Sequence, residues 1–421
     1  MAALTLPLYI LLPTFYAQAL GLPLAAVGAA LFAVRLVDAF SDPIIGYWSD
    51  RLSGPLGRRR SWFLASLPIA SFASFMLLWP PSDAGSNHIL VWGTVLSFGY
   101  TMGGLSYTAW GAELSTDYAG RSRVAAWREG FILLGTLAAI TLPFSGFSLT
   151  DASSFHGLAA LAVLVVVLLP VLGGLLVWWA PEPRNFSKSQ LNLRSGLAAM
   201  ARNKPFLRVL TAYLINGLAN GFPATLALLF IEARLEAPDY QGAFLFLYFL
   251  AGLAGVPLFT HLAKLTSKHR AWCIAMLIGS AVFATAPFIA PGDLLSYGLL
   301  CLVTGICLGA DLALPPAIQA DVIDTDTATS GDQRSGAYFA AWSLATKLAL
   351  ALAAGLAFPI LGAIGFNAET VSQSTEQSLF ALAVLYAWVP VMFKLLAVAL
   401  MWNFPIDATQ QQKLREQIEA R

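Results

Sequence analysis

The feature that leaves this chain fewest folds is a series of apolar runs, each about twenty residues long, repeated from one end to the other. A hydrocarbon core roughly 30 Å thick takes about 20 helical residues to cross. Only a helix or a closed barrel satisfies its own backbone polar groups there. Reading the runs between polar breaks gives twelve spans, at approximately 4–20, 25–48, 62–80, 89–113, 127–147, 157–179, 206–231, 240–262, 272–290, 295–318, 337–362 and 377–403. Only 11% of the residues are charged, against about 25% in a soluble domain whose surface must face water. The expected fold class is therefore an all-α membrane protein. A net charge of +1 supplies no footprint for nucleic acid.

One long polar stretch, 181–205, divides the spans six and six. The expected organisation is a six-helix bundle over 1–180, a cytoplasmic linker over 181–205, a second six-helix bundle over 206–403 and a cytoplasmic tail over 404–421. Lysine and arginine set the orientation. Eighteen lie in the even-numbered loops, the linker and the tail, and one, Arg234, lies on the opposite side. Both termini are expected in the cytoplasm of a bacterial cell, with the chain in the inner membrane. The halves also echo each other: Ala112-Glu113 is followed at an offset of 208 by Ala320-Asp321, and Arg60-Ser-Trp62 at 210 by Arg270-Ala-Trp272. Two pseudo-symmetric six-helix halves are the build of a rocking transporter, with its substrate site between them.

Charges inside the spans carry the functional signal. Arg35, Asp38 and Asp42 in the second span are three and four residues apart, which stacks them on one helical face. Each costs about 2.5–3.5 kcal/mol at a helix centre, so that face looks into protein or water. Two carboxylates one turn apart repel when both are ionised, and a proton or a cation relieves them. An internal Arg35–Asp38 ion pair is the structural alternative for Arg35. Lys347 lies deep in the eleventh span, where it could neutralise a second-span carboxylate or form a plain salt bridge. Asp311 precedes Pro315-Pro316, a pattern expected to bend or break the helix; it could accept hydrogen bonds from a polyhydroxylated ligand or pair with Lys347. Lys394, deep in the twelfth span, has no acidic neighbour in sequence. Tyr107 and Trp110 suit a sugar face or simple packing, and Arg128 opens the fifth span within reach of a cavity or gate. Cys273, Cys301 and Cys307 lie in apolar runs without ligand spacing. No metal site and no cofactor are expected.

These residues resemble the major facilitator superfamily, and within it the glycoside–pentoside–hexuronide:cation symporters, the melibiose permease-like family. Gly46-x-x-x-Asp50-Arg51 with Gly57-Arg58-Arg59-Arg60 resembles the superfamily's cytoplasmic gating motif. Arg35-x-x-Asp38-x-x-x-Asp42-Pro43-x-x-Gly46 resembles the family's helix-2 signature, whose two cation-site carboxylates fall on Asp38 and Asp42. Ala320-Asp321-Val-Ile-Asp324 with Arg334, Tyr338 and Lys347 resembles the loop 10–11 signature, whose essential lysine falls on Lys347. Tyr107 with Glu113, Asp117, Arg121 and Arg128 resembles the helix 4–5 signature. One departure stands out. Melibiose permease grips its galactoside with carboxylates on helices 1 and 4, whereas here the helix-4 position falls near Gly104 and helix 1 has no acid.

The resemblance implies a symporter of a sugar, glycoside or related small polar solute, acting as a monomer by alternating access and coupled to H+ or Na+. Asp38, Asp42 and Lys347 would couple the cation. Arg35, Tyr107, Trp110, Arg128, Asp311 and Trp342 would meet substrate. Asp50, Arg51, Arg58, Arg59, Glu113, Asp117, Arg121, Asp321, Asp324 and Arg334 would form the cytoplasmic gate. A uniporter, or a carrier of lysolipid, drug or metabolite on the same fold, is the alternative. A membrane enzyme would need an acid/base or metal constellation, and none is legible.

Overall fold

The computed structural model describes residues 2–51, 54–113, 131, 135–139, 156–181, 200–330, 335–366, 375–406 and 410. Its helices are α1 (Ala2–Ala19), α2 (Leu24–Arg51), α3 (Arg58–Leu78), α4 (Ser86–Glu113), α5 (His156–Trp179), α6 (Lys204–Ala233), α7 (Gln241–Leu265), α8 (Lys268–Phe283), α9 (Leu294–Ser330), α10 (Ser335–Ala363), α11 (Glu376–Ala383) and α12 (Val389–Met401). A π turn over Val384–Trp388 joins α11 to α12, so together they form the twelfth span. Among the described residues, nine helices are long and apolar enough to cross a membrane; α1 and α2 are 18 and 28 residues long. The fifth expected span, 127–147, falls almost wholly outside the described residues.

Local chemistry explains where several helices begin. The side chains of Asn203, Ser267 and Thr375 accept the backbone N–H three residues on, at Phe206, Arg270 and Ser378, which satisfies an orphan donor of the first turn. Asp293 does the same for the N–H of Ser296 at 3.1 Å, opening α9. That helix does not break at its prolines; it continues through Pro315 and Pro316 to Ser330. Proline removes the N–H donors that would reach the carbonyls of Asp311 and Leu312, and a packed membrane helix tolerates this loss. With 37 residues at 1.5 Å each, α9 is about 55 Å long. Its last turns therefore carry Asp321 and Asp324 toward and beyond the edge of the hydrocarbon.

The chain forms two compact units: 1–188 with 354–374, and 189–353 with 375–421. Residues 354–374 belong with the first because Gly355 and Phe358 lie against Phe32 and Gly28 of α2. Within the first unit α2 packs on α4, and α3 packs on α4 and α5; within the second, α7 packs on α9, and α8 packs on α9 and α12. This is one packing scheme used twice. The first core gathers Leu12, Tyr16, Phe63, Leu77 and Trp110, the second Phe206, Trp272, Met276, Leu314 and Tyr338. Large apolar side chains also stand outside, including Trp178 at 82% and Met392 at 71% exposed. On a soluble protein such surface would invite aggregation; here it is the face turned to lipid.

In the second unit α7 and α9 touch backbone to backbone. A Cβ on Gly255 would fall 2.0 Å from the carbonyl oxygen of Ile306, and one on Gly309 would fall 2.4 Å from the backbone of Gly255 and Val256. Small residues permit such approach between membrane helices. Gly309→Val is expected to destabilise the unit by about 1–3 kcal/mol or more through overpacking. Gly174→Ala, where the new Cβ would meet nothing within 4 Å, is expected to be neutral. Thermal unfolding of the detergent-purified variants checks this, and equal midpoints would show that the close approach has no energetic weight.

Candidate functional site

Asp38 sits on the helix face predicted for it and is 2% exposed. Its Oδ2 accepts from Arg35 Nη1 at 3.0 Å, one turn back on the same helix. Its Oδ1 accepts from Thr101 Oγ1 of α4 at 3.2 Å. The approach of α2 to α4 makes this possible: a Cβ on Gly93 would lie 2.8 Å from Val34 Cγ2, and Asp38 is one turn beyond Val34. A cation and a hydroxyl thus both hold this buried carboxylate, close to the Asp42 position on the same helix. The internal Arg35–Asp38 ion pair exists, and it uses only part of the carboxylate's capacity as an acceptor.

Tyr107 is half-buried and tilted against Phe63, while Trp110 is 1% exposed and edge-on to the same ring at 6.2 Å. Trp110 Nε1 donates to the carbonyl of Pro181 at 2.9 Å, so this indole ties α4 to the chain after α5. Nearby, Arg59 is buried and Arg60 donates to the carbonyls of Val177 and Trp178. A guanidinium there satisfies free carbonyls and complements the negative end of the α5 dipole. Arg208 does the same in the second unit, its Nε donating to the carbonyl of Leu400 on α12 at 2.5 Å.

In the second unit Asp311 is the hub. Its Oδ1 accepts from Asn216 Nδ2 at 2.9 Å and from Trp272 Nε1 at 2.6 Å. Its Oδ2 accepts from Asn220 Nδ2 at 2.9 Å and from Lys394 Nζ at 3.4 Å. Lys394 Nζ also donates to Asn216 Oδ1 at 3.0 Å. The cation paired with Asp311 is therefore Lys394 and not Lys347. Lys347 lies half-buried on α10. Trp342, also on α10, stacks on Tyr213 with ring centroids 3.9 Å apart. The Tyr213 hydroxyl meets Thr346 Oγ1 at 3.0 Å.

Asp321 near the end of α9 is buried and receives Lys268 Nζ on both oxygens, at 2.7 and 2.6 Å. This residue of the expected gate is thus tied to the start of α8. The side chains of Asp42, Asp50, Arg51, Arg58, Glu113 and Asp324 lie outside the described residues, as do Asp117, Arg121, Arg128 and Arg334 entirely.

Two polar clusters buried in two similarly packed helical units are the anatomy of a membrane carrier, and comparison with known proteins identifies which kind. The chain matches the family described as MFS/sugar transport protein over residues 1–408. It belongs to that family. It is similar to the isoprimeverose transporter of Lactiplantibacillus pentosus, at 24% identity over 96% of this chain and 85% of that one. It is also similar to the sodium-dependent lysophosphatidylcholine symporter 1 of Mus musculus, at 23% identity over 93% and 80%. Among solved structures, a mutant of the nucleoside transporter NupG superposes with a TM-score of 0.70, covering 95% of this chain and 96% of that one at 15% identity. The fold is the major facilitator fold, and this member of the MFS/sugar transport family is a multi-pass membrane transporter rather than an enzyme.

Sequence reasoning left Lys394 unassigned and passed over Asn216, Asn220 and Lys268. Asn216 and Asn220 did carry a signal: two carboxamides one turn apart inside an apolar run. A polar pair on one face of a membrane helix is a reason to look for a partner.

Proposed function

We propose that this transporter is a cation-coupled symporter of a sugar or glycoside working by alternating access, with Asp38 and Asp42 as its coupling carboxylates. The observation that carries the reading is the buried Asp38, held by Arg35 and Thr101, in a chain whose relatives include a named sugar transporter. With Asp42 one turn on along the same helix, two carboxylates repel when both are ionised. A proton or sodium ion relieves that repulsion, and the relieved state favours substrate. Coupling is reciprocal, so substrate tightens the cation by the same factor. Lys347 serves as the alternative counter-charge when no cation is bound. Arg128, Tyr107 and Trp342 contribute to the substrate environment.

The arginine-rich end faces the cytoplasm in this reading, with both termini there. Asp50, Arg51, Arg58, Arg59, Glu113, Asp117, Arg121, Asp321, Asp324 and Arg334 form the inward gate. The Lys268–Asp321 bridge supports it, since a partly exposed pair is weak enough to open and re-form.

Proteoliposomes test the coupling. Counterflow of the substrate is expected without any ion gradient, and accumulation above equilibrium only with an inward sodium or proton gradient. Uptake that only equilibrates the substrate under either gradient would reduce the protein to a uniporter. A second reading, transport of a lysolipid, is favoured by the similarity to the lysophosphatidylcholine symporter. Thermal shift with lysophosphatidylcholine against neutral sugars separates the two, because only a ligand of the native state raises the unfolding midpoint.

A further inference from the structure

Asp311 accepts four hydrogen bonds: two amides, an indole and an ammonium. A carboxylate has about four acceptor sites, so this one has no capacity left for a ligand. The chemistry of its partners is then constrained. Because a carboxylate only accepts, the nitrogen of each asparagine must point at it, which turns each amide oxygen outward. Asn216 Oδ1 is taken by Lys394. Asn220 Oδ1 has no hydrogen-bond partner among the described residues, and neither has the third N–H of Lys394.

The cluster is closed on one side and open on the other. Asn216 is 2% and Trp272 0% exposed, whereas Asn220 is only half-buried and the Lys394 side chain is 16% exposed. An amide oxygen and an ammonium N–H left unsatisfied against hydrocarbon would each cost several kcal/mol. The lipid face of α12 is marked instead by Met392, Leu395 and Leu396, which are all exposed. The open edge therefore belongs to a hydrated passage. It offers one acceptor and one donor beside each other, on a cluster whose aspartate and lysine charges cancel. Tyr213, on the same face of α6 as Asn216 and Asn220, adds an aromatic ring backed by Trp342.

We propose that Asn220 and Lys394 are the substrate-recognition pair of the second unit, reading adjacent hydroxyls of a neutral polyhydroxylated solute, and that Asp311 is the positioning residue that aims them. Asn220 Oδ1 accepts from one hydroxyl and Lys394 Nζ donates to its neighbour. Vicinal hydroxyls fit this pattern and a single carboxylate does not. The proposal rests on the sugar reading above and assigns it a polar contact that no acid on helix 1 or near Gly104 of helix 4 supplies here.

The test measures binding by thermal shift on the full purified chain with xylose, isoprimeverose, methyl glucuronide and lysophosphatidylcholine. Proteoliposome uptake then gives KM and the maximal rate for any sugar that binds. Wild type is expected to be stabilised by a neutral sugar more than by the glucuronide. Asn220→Ala is expected to raise the KM for that sugar about tenfold, the loss of one hydrogen bond, and to lower the ligand-free unfolding midpoint, because Asn220 Nδ2 also donates to Asp311. Asn220→Gln, which keeps the amide but moves it by one methylene, covers the case in which the alanine variant fails to fold, and is expected to raise KM as well. Unchanged KM in either folded variant overturns the recognition role and leaves the sugar reading standing. Stabilisation of wild type by lysophosphatidylcholine and by no sugar overturns both. A stronger response to the glucuronide overturns the preference for a neutral ligand.

Discussion

Asp38→Asn is expected to abolish concentrative uptake while counterflow of the same solute persists. One monovalent cation moving down about 100 mV carries about 2.3 kcal/mol, enough for about fifty-fold accumulation of a co-transported solute. A carrier that no longer binds the cation equilibrates its substrate, so the expected effect is the whole of that factor. Asp42→Asn is expected to do the same. The Asp38 result alone has a rival cause, because the change removes the ion pair with Arg35, and breaking a buried pair destabilises by about 3–5 kcal/mol. The double variant Arg35→Gln with Asp38→Asn separates the two causes. If the pair only holds the bundle together, the neutral double variant regains uphill transport. If Asp38 is a cation ligand, the double variant folds, exchanges substrate and still does not accumulate it. Accumulation by that double variant would remove Asp38 from the coupling role.

The second large effect belongs to Asp311 and Lys394. Asp311→Asn leaves the Lys394 ammonium facing amides only, and Lys394→Met leaves a carboxylate among neutral donors. Each single change is expected to cost about 3–5 kcal/mol of stability, because four helices (α6, α8, α9 and α12) meet on this one carboxylate. The double change Asp311→Asn with Lys394→Met removes both charges at once and is expected to recover most of that loss. A buried ion pair replaced by groups of similar size is often near neutral. Unfolding midpoints of the four proteins form a double-mutant cycle. Additive losses would show that the 3.4 Å contact has no energetic meaning. The stable double variant is still expected to transport poorly, since it lacks the lysine that faces substrate.

The membrane-spanning helices, the family and the shared helix face of Arg35 and Asp38 were legible in the sequence. Each depends on something short-range or compositional. A membrane forces spans of one length, a basic bias marks one side, and a spacing of three and then four residues puts Arg35, Asp38 and Asp42 on one face whatever surrounds them. The Arg35–Asp38 pair could be named as an alternative because both partners lie within one turn of one helix. The partner of Asp311 could not. Lys347 and Lys394 are both half-buried lysines on later helices, 36 and 83 residues away, and nothing local favours either.

The Pro315-Pro316 pair, expected to bend or break its helix, does not break it: the loss of two N–H donors is local, and α9 continues through both prolines to Ser330. Trp110 and Trp342 read alike in sequence as aromatic residues within a span. In the structure Trp110 is enclosed in a core and spends its N–H on a backbone carbonyl, whereas Trp342 backs Tyr213 beside the polar cluster. The sequence by itself determined that the chain crosses a membrane as helices, which loops carry the arginines and which helix face carries charge, because those follow from residue spacing and bilayer thickness. Only the tertiary structure decided which lysine neutralises Asp311 and which amide oxygen is left over, because a hydrogen bond between distant helices exists only where close packing places donor and acceptor within about 3 Å.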